Sequence, residues 1–280
     1  MAGLIDRYIN PFTDFGFKKL FGSEPNKDLL IDFLNQLLAE EKGEITSLTY
    51  LRNEQLGRQE ADRRAIFDLY CETQRGEKFI VELQKAKQNF FKDRSVFYST
   101  FPIQEQARRG NWNFELNAVY TIGILDFIFE EDQAETDKYL YLVKLTDVEA
   151  CKVFFDKLTF IYLEMPKFRK QLHELETRFD KWLYVLRHLS DLQERPAALQ
   201  DRIFQKLFDQ AEIAQFKPEE REAYEDSLKY YRDLKNVLDT AREEGKEEGI
   251  ELGARQTQRD MAQRLKARGF SPAEITDLTG

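Results

Sequence analysis

The stretch IFDLYCETQRGEKFIVELQ, residues Ile66 to Gln84, decides the fold. Two runs rich in aromatic and β-branched side chains flank Gln74, Arg75 and Gly76, a loop whose glycine suits a left-handed position. This predicts an antiparallel hairpin. With Thr73 opposite Glu77, the same register sets Asp68 directly across from Glu82. Gln84 lies two residues beyond Glu82 and shares its face, whereas Leu83 points the other way. Opposed residues hold their Cβ atoms about 5 Å apart, so two carboxylates there repel. A hard divalent cation relieves that conflict, since Mg²⁺ is typically held by one or two carboxylates plus water and substrate phosphate. The alternative is that Asp68 and Glu82 decorate a solvated strand face. Their settings, AIFDLY and FIVELQ, argue against it, because a carboxylate in an apolar environment is costly. A two-residue loop would offset the pair.

Working outward, Leu29, Leu30, Phe33, Leu34, Leu37 and Leu38 form the apolar stripe of an amphipathic helix with Asn26 or Asp28 as candidate caps. Ile45 to Leu51 reads as a strand. Phe90 to Arg109 reads as a helix that Pro102 kinks or ends, and Asn113 to Phe129 returns to strand character. This order predicts an α/β (α+β) domain over 1–130 with a small mixed sheet flanked by helices. The segment 131–240, including VEACKVFFDKLTFIYLEMPKF and LETRFDKWLYVLRHL, reads as an all-helical domain from its three- and four-residue apolar spacing. A helical tail over 241–280 carries Gly245, Gly249 and Gly253, which fit either close helix approach or a flexible linker. Its end, QRLKARGFSPAEITDLTG, reads as helix, glycine stop, Ser271 cap and a short helix beginning at Pro272. A recognition helix does not follow, so base reading by this tail is not expected.

The composition narrows the chemistry. The 280 residues are 42% apolar and 33% charged, with a net charge of −9. Two histidines, His173 and His188, and two cysteines, Cys71 and Cys151, give no His-rich metal site, catalytic triad, zinc cluster or disulfide framework. Hydrolysis would have to run on carboxylates, Lys, Arg and amides. The charge is uneven: residues 1–125 carry 17 Lys+Arg against 18 Asp+Glu, and the remainder 25 against 33. Leu51 to Arg109 holds 12 basic and 9 acidic residues, a mildly basic stretch that suits a phosphate backbone once a metal neutralises the acidic pair. No export signal is read, and VYTIGILDFIF is too short to span a bilayer. A cytoplasmic protein with no membrane partner is the expectation.

An Asp in one strand, a glycine turn and a Glu-x-Gln closing the next strand, followed by a helix, resembles the PD-(D/E)XK nuclease core. The ordered set TDFGFKKLFG, RRAIFDLYCET, GEKFIVELQKAKQNFFKDRSVFYS and VYTIGILDF is similar to its Rpn branch of recombination-promoting nucleases and transposases. The resemblance covers Ile9 to Phe129 well and the tail loosely. It implies a restriction-endonuclease-like core and DNA as substrate. It also implies Mg²⁺, or Mn²⁺, on Asp68 and Glu82. Gln84 then stands where the superfamily usually has Lys, able to position water but supplying no charge. Lys85 and Lys87 have the opposite strand parity and make poor substitutes. Asp14 and Lys18 are i, i+4 on a short helix and either support the site or serve as cap and surface charge. Arg94 and Tyr98, also i, i+4, either meet a scissile phosphate or are a surface Arg and a packed Tyr.

The leading expectation is a metal-dependent DNA endonuclease of low sequence specificity, linked to recombination or mobile DNA. Its rivals are a catalytically inactive nuclease-like fold serving as a protein- or DNA-binding regulatory module, and a structural helical scaffold. Double-strand cleavage would favour a homodimer, with the glycine-repeat tail as a candidate contact.

Overall fold

A computed structural model describes residues 6–39, 43–55, 65–107 and 112–279. Arg58, Arg63, Arg64, Arg108 and Arg109 of the basic stretch lie outside the described residues. Contacts divide the chain into two units, Met1–Tyr231 and Arg232–Gly280.

In the first unit, Thr13 caps helix α1 (Asp14–Phe21) by accepting from the Gly16 N–H at 2.9 Å. Asp14 is therefore a first-turn residue and not the cap. Helix α2 (Lys27–Leu37) buries its leucine and phenylalanine stripe as expected. Asn26 stands at the N-cap position, but its amide donates instead to the Lys19 carbonyl at 2.8 Å. Strand β1 (Leu48–Tyr50) follows, then a two-residue ribbon of β2 (Glu54–Gln55) and β3 (Ala65–Ile66). Next come β4 (Leu69–Thr73), β5 (Lys78–Gln84), α3 (Phe91–Glu105) and β6 (Val119–Leu125). Helix α3 continues one turn past Pro102, which only removes one backbone donor near the C-terminal end.

The expected all-helical reading of 131–240 is corrected at its start. Leu140–Asp147 is strand β7 and Lys152–Glu164 is strand β8, an antiparallel pair. The first domain accordingly does not close at 130. β8 runs parallel to β6 in the register Val119↔Leu158 through Leu125↔Glu164. Along it Ile161 and Leu163 join one core while Phe160 and Tyr162 join another. A strand buried on both faces is apolar without alternation, and such a run mimics helical spacing. The helical reading holds from α4 (Arg178–His188) onward, through α5 (Arg202–Ala211) and α6 (Pro218–Ala267).

The six-stranded sheet has the order β1-β4-β5-β6-β8-β7, with β5, β6 and β8 parallel and the outer pairings β4–β5 and β7–β8 antiparallel. One face carries Leu69, Cys71, Phe79, Val81 and Leu83 into the main core with Phe17, Phe33, Trp182 and Phe204. The other face meets α3, through Phe67, Tyr70 and Ile80 with Tyr98, and through Phe91 with Phe160 and Tyr162. Each large side chain removed from water in this way contributes about 1.5–3 kcal/mol. β6 is buried at every position, which places it at the centre. The far half of the β7–β8 hairpin outruns β6, leaving Val148 and Phe154 89% and 82% exposed.

In the second unit α6 continues as helix to Ala267, and Gly245, Gly249 and Gly253 have open space around them. Close helix approach at these glycines is not made among the described residues. Gly269, at φ +88°, ends the helix, and Ser271 with Glu274 caps α7 (Pro272–Thr279), as the sequence indicates. No helix among the described residues is long and apolar enough to cross a membrane.

Candidate active site

The loop of the central hairpin fixes everything that follows. Gly76 sits at φ +78°, a conformation glycine adopts without penalty. Its N–H donates to the Thr73 carbonyl at 2.9 Å, and the Thr73 N–H donates to the Glu77 carbonyl at 2.9 Å. The ladder then runs Glu72↔Lys78, Cys71↔Phe79, Tyr70↔Ile80 and Leu69↔Val81. That is the register read from the sequence, and the ladder ends at Leu69↔Val81, one step short of Asp68 and Glu82.

Asp68 is not within a strand. It stands at a bend between β3 and β4, where the expected single strand Ile66 to Glu72 is broken. The break frees its side chain to accept from the Leu83 N–H at 2.7 Å, and its own N–H donates to Glu82 Oε1 at 3.3 Å. Glu82 is only 6% exposed, while Asp68 is half-buried. Burial pushes the Glu82 carboxyl up to about 8, the Asp68 charge adding to it against the Asp68 N–H and Arg94. Burial likewise raises Asp68, with Asp14 reinforcing the shift, and the Leu83 N–H, Lys18 and Lys85 opposing it. The pair is thus an acidic site whose negative charge the protein does not fully compensate.

Around this pair the structure gathers most of the residues singled out in the sequence. Lys18 and Asp14 form an i, i+4 ion pair at 2.9 Å on α1, and both act electrostatically on Asp68. Arg94 acts electrostatically on Glu82. Its guanidinium lies over the rings of Phe91 and Tyr98, 5.1 and 5.7 Å from their centroids, and Nη1 donates to the Gln88 side chain. Its Nε and Nη2 are buried and, among the described residues, have no hydrogen-bond partner. Tyr98 packs edge-on to Phe67 at 5.2 Å, and burial, then the Glu82 charge, raises its hydroxyl pKa. Gln84 ends β5 on the Glu82 face. Its amide donates weakly to the Leu83 carbonyl at 3.3 Å, and no hydrogen bond among the described residues joins it to either carboxylate.

Lys85, read from the sequence as a poor substitute for a catalytic lysine, follows directly on Gln84. β5 ends at Gln84, so alternation no longer governs the next side chain. Lys85 is half-buried, lies within electrostatic reach of Asp68, Asp14 and Lys18, and places Nζ 5.5 Å from the Tyr230 ring centroid. Lys87, in contrast, is exposed and paired with Glu130.

Two carboxylates suit a divalent cation completed by water and phosphate oxygens, although no group of three or more His, Cys, Asp or Glu residues gathers as a metal cage among the described residues. Each carboxylate spends one oxygen on a backbone N–H and keeps a second. Burial first, and the Asp68 charge second, hold the Glu82 carboxyl above its ordinary range. The donor set fits the group.

A mixed sheet with helices on both faces and a carboxylate pair on its central hairpin has the architecture of a PD-(D/E)XK nuclease. The chain belongs to the PD-(D/E)XK nuclease family transposases, whose family model matches residues 11–241. Membership brings a nuclease-type function, and nucleases of this kind generally work with divalent metals. No curated protein and no solved structure matches the chain.

Proposed function

We propose that this protein is a Mg²⁺-dependent endonuclease that hydrolyses DNA phosphodiester bonds with little sequence preference, in the service of recombination or mobile DNA. The observation that carries the reading is the adjacent carboxylates of half-buried Asp68 and buried Glu82, joined by the Asp68 N–H, which would hold the cation, with the unpartnered Nε and Nη2 of Arg94 beside them. Bound there, Mg²⁺ or Mn²⁺ would neutralise the pair, acidify water and polarise a phosphoryl oxygen. The chain's own groups do the rest. Arg94 presents two buried donors in a fork that matches phosphate oxygens. Phe91 and Tyr98 hold its plane in place. Gln84 orients the attacking water by hydrogen bonding. Lys18, restrained by Asp14, adds positive charge toward the incoming backbone.

Purified protein is expected to nick supercoiled DNA in Mg²⁺ or Mn²⁺. Asp68→Ala and Glu82→Ala should each lower the rate by about 10³-fold or more, since each removes a charge that both binds and positions the reacting groups. A folded wild-type protein that cuts neither DNA nor RNA with either metal would defeat the reading and favour a binding module.

A further inference from the structure

The Gln84 position supplies no charge, and among the nearby lysines most are already engaged. Lys18 is bonded to Asp14 at 2.9 Å, Lys87 to Glu130, and Lys92 to Glu131. Lys85 has no ion-pair partner within 4.0 Å among the described residues, yet it is half-buried and lies two residues beyond Leu83, whose N–H donates to Asp68 at 2.7 Å. Tyr230, from the early turns of α6, stands under its ammonium at 5.5 Å. A cation over an aromatic face is attracted by the ring without surrendering its charge. The neighbouring clamp is firm: the Asp126 N–H donates to the Gln84 carbonyl at 2.8 Å, and the Tyr231 hydroxyl donates to Asp126 at 2.9 Å. The backbone that launches Lys85 is therefore held at the end of β5, close to α6.

We propose that Lys85 supplies, from just beyond the strand, the substrate-facing positive charge that Gln84 does not provide. It contacts a phosphate oxygen on the Asp68 side while Arg94 contacts the substrate from the Glu82 side, so that two cations bracket the reacting phosphate. Tyr230 acts as a positioning residue for the ammonium. The role is electrostatic and transfers no proton. A lysine leaving a terminated strand can reach a site that strand alternation forbids, and this geometry separates Lys85 from Lys87. The inference rests on the nuclease reading above and names a further substrate-contacting residue for it.

The test compares wild type, Lys85→Gln and the double variant Gln84→Lys/Lys85→Gln in nicking of supercoiled DNA, with Mn²⁺ binding measured by calorimetry on each full-length protein. Lys85→Gln should lower the rate about 10²-fold, the scale for loss of one preorganised group that stabilises transition-state charge. Its Mn²⁺ affinity should stay within about threefold of wild type, because Lys85 does not ligate the cation and removing it leaves both carboxylates in place. Moving the lysine one position back should recover at least about tenfold of the loss, since charge near the phosphate is what is restored. Lys85→Gln cleaving within about threefold of wild type would overturn the inference, since loss of a substrate-facing charge costs far more. So would a loss that the relocated lysine does not recover, or one accompanied by collapse of Mn²⁺ binding. If wild type itself cuts nothing, the nuclease reading fails first and the inference falls with it; an active wild type with an unaffected Lys85→Gln isolates failure of the inference alone.

Discussion

Glu82 and Glu164 are two buried carboxylates near the carboxyl ends of parallel strands in one sheet, and the protein treats them in opposite ways. Glu164 ends β8, fully buried, with Lys167 Nζ 2.6 Å away and the Phe129 N–H donating to it at 2.7 Å. Lys167 in turn donates to the Asp132 carbonyl and the Tyr141 hydroxyl at 2.7 and 2.8 Å. This is a closed account of charge within the fold. Glu82 has a second carboxylate beside it and no cation in bonding contact among the described residues. Burying an acid beside its own cation is a way to hold a loop against a sheet. Burying one beside another acid costs stability, and that cost makes sense where an external cation is meant to bind.

The comparison breaks most visibly at Lys167. Lys167→Met leaves Glu164 buried without its cation and should destabilise the protein by about 3–5 kcal/mol, read as a lower urea midpoint. A change within error would show that Glu164 is not held as a true ion pair.

Glu82 should respond with the opposite sign, and only in one pH window. Its folded pKa of about 8 lies above the ordinary 4.5, so the folded state holds the proton more tightly than the unfolded chain does. Stability from this group is present below 4.5 and lost as pH rises through about 8. In chelator, Glu82→Gln should match wild type near pH 4 and exceed it near pH 9 by several kcal/mol. Saturating Mn²⁺ should narrow that gap by stabilising wild type. Equal stabilities of the two proteins at both pH values would remove the argument for an uncompensated acid. The smallest effect belongs to Tyr141→Phe, which takes one hydrogen bond from Lys167 and should cost about 1 kcal/mol in the same unfolding measurement.

The difference between these regions also explains what the sequence made legible. The register of the β4–β5 hairpin could be read because Gly76 forces a loop of defined length and the pairing propagates from it by local geometry; the break at Asp68 was not visible. The Glu164–Lys167 pair was hidden because β8 was read as helix. Its apolar run from Phe154 to Leu163 fits either period, and only pairing with β6, far away in the chain, selects the strand. Arg94 and Tyr98 were visible as one helical face, but the two unpartnered donors on Arg94 depend on the close packing of α3 against the sheet. Lys85 was set aside by extending alternation one residue beyond the end of β5. Alternation holds only within the strand, which ends at Gln84.

The two cysteines divide between the two hairpins. Cys71 is fully buried in β4 opposite Phe79, its thiol pushed up to about 12 by burial, and Cys151 is exposed at the β7–β8 turn with φ +51°. Alkylation proceeds through an accessible thiolate, so Cys151 labels from the native state and Cys71 only when the central hairpin opens. With Cys151 replaced, the labelling half-time of Cys71 becomes a clock for that opening. A cation that draws Asp68 and Glu82 together ties β4 to β5, and the clock should slow when it binds.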